Sequence, residues 1–127
     1  MISCIRIEHP IDGKGLFQNT YDEKTGDGLK DTVDAFNMEV CRRHNDMDTP
    51  WSDPNLDRFL EKKEWFCAYK NLDQLALWMD NMEIREVLEH GYNIYQLSVN
   101  EFQVGSDQIM YTKESIERKE NINQLFL

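Results

Sequence analysis

Arg6 lies between Ile5 and Ile7 in Ile2-Ser3-Cys4-Ile5-Arg6-Ile7-Glu8-His9, a run that reads as a β-strand. Strand side chains alternate between faces, so Arg6 points away from the side that Ile5 and Ile7 bury. Gln108 stands ahead of a second β-prone run, Ile109-Met110-Tyr111, near the other end. A strand guanidinium and a strand amide frame a pocket for a nucleotide or another anion, because the forked donors of Arg match phosphate oxygens. A second set, His44, Asp46, Asp48 and Asp53, is the densest group of metal-ligand types. It lacks the Gly and bidentate Glu of a calcium loop and the further His or Cys of a zinc site. Its Asp residues read as Asx-turns and caps around Thr49-Pro50, so no metal site is expected. Gly13-Lys14-Gly15 lacks the remaining spacing of a phosphate loop and reads as a turn. His9, His44 and His90 are scattered and carry no argument for nucleophilic catalysis. Asp80, Glu83, Glu86 and Glu89 recur every three residues. They form either a solvated helix face or a docking surface for the Lys and Arg of a partner.

The elements that would hold these residues follow from spacing. Pro10 ends the first strand, and a polar stretch to about Leu29 carries Gly13, Gly15, Gly26 and Gly28 in turns. Val33, Phe36, Val40, Cys41 and His44 predict an amphipathic helix over 30–44. Asp53-Pro54 reads as the cap and first position of a short helix ending near Lys63. Trp65 to Tyr69 reads as a central strand, and Asn71 caps a helix striped by Leu72, Leu75, Trp78 and Met79. Helix resumes through Ile84, Val87 and Leu88 and stops at Gly91, after His90 at its C-terminus. Tyr92 to Val99 forms a strand, and Phe102–Val104 and Gln108–Thr112 pair around a turn at Gly105. Lys113 to Leu127 begins as a charged helix and ends in Leu125-Phe126-Leu127, an apolar end that docks on the body or on a partner. The prediction is a single α+β domain over 1–112 with a C-terminal helical tail over 113–127. It holds a small mixed or antiparallel sheet and three or four helices.

Composition narrows the function classes. A chain of 127 residues that is 40% hydrophobic, with three Trp, five Tyr and six Phe, can bury roughly two-thirds of its unfolded surface. Twenty-four acidic against fourteen basic residues give a net charge of −10. That sign disfavours direct contact with nucleic acid or with an anionic membrane. A basic protein partner fits, such as one that itself binds nucleic acid. Cys4, Cys41 and Cys67 are an odd number without metal spacing and read as buried thiols in a reducing compartment. No secretory leader and no spanning apolar stretch is evident, so a cytoplasmic protein is expected.

Several short motifs occur in order: Arg6-Ile7-Glu8-His9; Gly13-x-Gly15-x-Phe17; His44, then Thr49-Pro50-Trp51-x-Asp53; the strand, cap and helix from Phe66 to Trp78; and Val104-Gly105-x-x-Gln108-x-x-Tyr111. Over about residues 5–112 this set resembles a family of small phage and prophage proteins. That family is in turn distantly similar to the ADP-ribosyltransferase fold, in which a first-strand Arg or His holds NAD and a late strand presents a Glu. The resemblance implies Arg6, Tyr69 and Gln108 as nucleotide-binding residues, with Tyr69 offering an aromatic face to nicotinamide. Gln108 lacks the charge with which a carboxylate stabilises an oxocarbenium-like state, so a descendant that only binds stands beside an enzyme. The leading expectation is a cofactor-free inhibitor of a basic host protein, such as a CRISPR-type defence nuclease, in the bacterial cytoplasm. It would dock through Asp80, Glu83, Glu86 and Glu89. The alternatives are an NAD-dependent ADP-ribosyltransferase that modifies a host protein, and a module that sequesters a nucleotide.

Overall fold

Alternation along the first strand buries both of its faces, and the rest of the architecture follows from that. A computed structural model describes residues 1–9, 53–106 and 108–127. In chain order these form β1 (Ile2–Glu8), β2 (Phe66–Tyr69), α1 (Leu72–Trp78), α2 (Asn81–Glu89), β3 (Asn93–Val99), β4 (Phe102–Val104), β5 (Gln108–Tyr111) and β6 (Ile116–Asn121). The strands make one curled antiparallel sheet in the order β4-β5-β2-β1-β3-β6. The fold is α+β, with two α-helices among the described residues.

Register assigns each side chain to a face. Ile5 opposes Tyr69 on one side and Gln96 on the other, and Ile7 opposes Ile94. These residues share the face covered by the helices, where Leu75, Met79, Ile84, Val87, Tyr92 and Ile122 complete one apolar cluster. Ile94 and Val87 are wholly buried, and each such side chain contributes about 1.5–3 kcal/mol by leaving water. The opposite face carries Cys4, Ala68, Leu97, Val99, Ile109 and Tyr111, with Ile2, Phe66, Tyr95, Phe102 and Ile116 packed against them. All six strands contribute to that second cluster. A third, smaller group joins Leu56 and Trp65 to Met110 and Cys67, back on the helix-bearing face.

Helix α1 begins where the sequence places it, after Asn71, and α2 begins at a cap on Asp80 that the spacing had not singled out. The Asn71 side chain accepts from the Gln74 amide at 2.8 Å, and Asp80 accepts from the Glu83 amide at 2.8 Å. Helix α2 ends before Gly91, whose φ of 89° places it in the left-handed region that glycine tolerates. The strand over Phe66–Tyr69, the strand after Gly91 and the pairing of β4 with β5 are all as expected.

Two expected helices are replaced. Residues 53–63 form turns and a single 3₁₀ turn, Leu60–Lys62, with Glu61 and Lys62 at φ 55° and 56°. Asp53 accepts from the Asn55 amide and Asp57 from the Phe59 amide, both at 2.9 Å, so side chains take donors that a helix would leave free for water. The tail expected to be helical is mostly β6, which pairs with β3 from Tyr95↔Asn121 to Val99↔Ile116. The free edge of β3 outweighs the helix propensity of Glu117-Arg118-Lys119-Glu120. Beyond β6, Ile122 is buried and Phe126 packs on the helix-side cluster, whereas Leu125 and Leu127 are exposed. The helix expected over 30–44 and the glycine-rich stretch before it lie outside the described residues.

Candidate functional site

The three residues expected to bind a nucleotide do not share a face. Arg6 follows Ile5 in β1 and lies on the side of Cys4 and Ala68, whereas Tyr69 and Gln108 are cross-strand partners on the helix-bearing side. Arg6 does turn away from Ile5 and Ile7, but towards a second core: it is 4% exposed. Its Nη1 donates to the Cys67 carbonyl at 2.6 Å, and its guanidinium carbon stands 5.6 Å from the Phe66 ring centre. β1 and β2 share a single registered pair, Ile5↔Tyr69. The arginine therefore supplies a carbonyl partner where the ladder between these strands runs out. Its charge is felt at the Cys4 and Cys67 thiols, yet burial dominates and pushes both up to about 11. Cys4 is buried, as read from the sequence, whereas Cys67 is half-buried, and Cys41 lies outside the described residues.

Tyr69 is core as well. It is buried edge-on against Trp78, with ring centres 5.8 Å apart. Burial first, and the nearby Glu83 carboxylate second, raise its phenol above the usual value. Gln108 is half-buried beside it, and its main-chain carbonyl accepts from the Gly105 amide at 2.8 Å, closing the β4–β5 turn.

The acidic row on α2 is divided in role. Asp80 caps the helix and is exposed, as is Glu89, whereas Glu83 and Glu86 are half-buried and Glu83 leans on the Tyr69 environment. His90 sits at the helix end with Nδ1 2.8 Å from the Glu86 carbonyl, the position foreseen for it. His9 is buried edge-on to Tyr92 at 5.6 Å.

Sequence reasoning missed a clasp between the 53–65 segment and the β4–β5 hairpin. The Asp53 carboxylate accepts from the amides of Asn55 at 2.9 Å and Ser106 at 2.7 Å, which hold it below the ordinary Asp value. Gly105 lies so close that an added Cβ would stand 2.5 Å from Asp53 Oδ2 and 2.9 Å from the Leu56 side chain. Gln103 exchanges two hydrogen bonds with the main chain of Asp57, at 2.7 and 2.8 Å. Nearby, Lys63 bridges Glu61 and Glu101, and Glu101 also accepts from the buried Thr112 hydroxyl at 2.7 Å. These contacts lower the Glu101 carboxyl and raise the Lys63 ammonium. The Asp-Pro-Asn and Asp-x-Phe spacings, read as turns instead of a helix start, would have pointed to the clasp.

Of the metal-type set, His44, Asp46 and Asp48 lie outside the described residues, and Asp53 is committed to amides. Among the described residues no group of three or more His, Cys, Asp or Glu could hold a metal ion. Nor is any helix among them long and apolar enough to cross a membrane.

No curated protein and no solved structure matches the chain. A family model does, over residues 2–124, and so takes in β6 and most of the tail that the resemblance had left out. By that match the chain belongs to the family of the bacteriophage T4 Y00F protein.

Proposed function

We propose that this phage-family protein works by stoichiometric binding to a basic host protein, as an inhibitor of an antiviral defence component. The observation that carries the reading is the use to which Arg6 is put. The guanidinium that a nucleotide site would need is spent on a strand carbonyl, with Tyr69 and Gln108 on the other side of the sheet. Chemistry aimed at a partner then lies in the surface charge, −10 over 127 residues, which speeds and orients approach to a basic groove. Exposed Asp80 and Glu89 are the members of the acidic row best placed to meet such a partner. ADP-ribosyl transfer and nucleotide sequestration, with NAD or a related ligand, are the competing readings. Both need a ligand to bind the free chain. Thermal melting with millimolar NAD, ADP-ribose or a cyclic nucleotide separates the classes: binding alone predicts an unchanged midpoint. A rise in the midpoint that Gln108→Ala abolishes would transfer the assignment to the nucleotide class.

A further inference from the structure

We draw no further inference here: the strongest candidate, the surface patch at the α1–α2 junction where Leu77 and Met82 stand exposed, is an unpartnered apolar face, and nothing in the structure shows what covers it.

Discussion

Arg6, expected to hold a ligand, is buried against a strand carbonyl, and that makes it the residue with the most to measure. Removing a buried guanidinium leaves the Cys67 carbonyl without its 2.6 Å donor and opens the space beside Phe66. Arg6→Met should cost about 2–4 kcal/mol in urea denaturation, and Arg6→Lys should recover little, because an ammonium lacks the planar fork. A variant as stable as the wild type would return Arg6 to the list of ligand-binding groups. Gly105 is a second test at this scale. Its close approach to Asp53 and Leu56 leaves no room for a methyl group, so Gly105→Ala should destabilise by about 1–3 kcal/mol. The direction of Arg6 was legible from Ile5 and Ile7 alone. Its burial was not, because the second core is assembled from Phe66, Tyr95, Ile109 and Tyr111, residues far apart in sequence and adjacent only through the sheet. Gly105 showed the same limit: a turn was foreseen there, but its contact with Asp53 spans more than fifty residues of chain.

Legibility also changed from element to element. Where a local signal and a packing requirement agreed, as at the Asn71 cap, the spacing of Ile84, Val87 and Leu88 up to Gly91, and the β4–β5 hairpin, the local signals were enough. Where they competed, tertiary pairing won. The 116–121 segment has helix-forming residues but lies along the open edge of β3, and its exposed charges then guard the new edge against further pairing. The 53–63 segment has a helix-start signature, yet Asp53 and Asp57 cap turns and the clasp to the hairpin holds them there. That clasp has a pH signature. Asp53 and Glu101 both titrate below their ordinary values when folded, held down chiefly by the Asn55 amide and by Lys63 respectively. Their stabilising contribution is therefore in full effect above the unfolded carboxylate values of about 4, and it is lost as pH falls through the lower folded ones. The urea midpoint should hold steady near neutrality and fall on acidification, and Asp53→Asn should flatten part of that acid limb. An acid limb unchanged in Asp53→Asn would mean that the Ser106 contact does not couple to folding.

For the whole molecule, the match identifies a phage-family protein, and the net charge of −10 is the feature on which the binding proposal rests. The charge was legible from composition, and the order of short motifs was enough to place the chain among phage proteins. The distribution of Arg6, Tyr69 and Gln108 over two faces depends on strand register, which no single segment encodes. The most direct test of the central claim is a pull-down with the tagged chain from bacterial lysate supplemented with NAD, followed by intact-mass analysis of every retained protein. Binding predicts a stoichiometric partner of unchanged mass, released by raised salt and weakened by charge reversal at Asp80 and Glu89. No partner at physiological salt, or one heavier by an ADP-ribose unit, would contradict it.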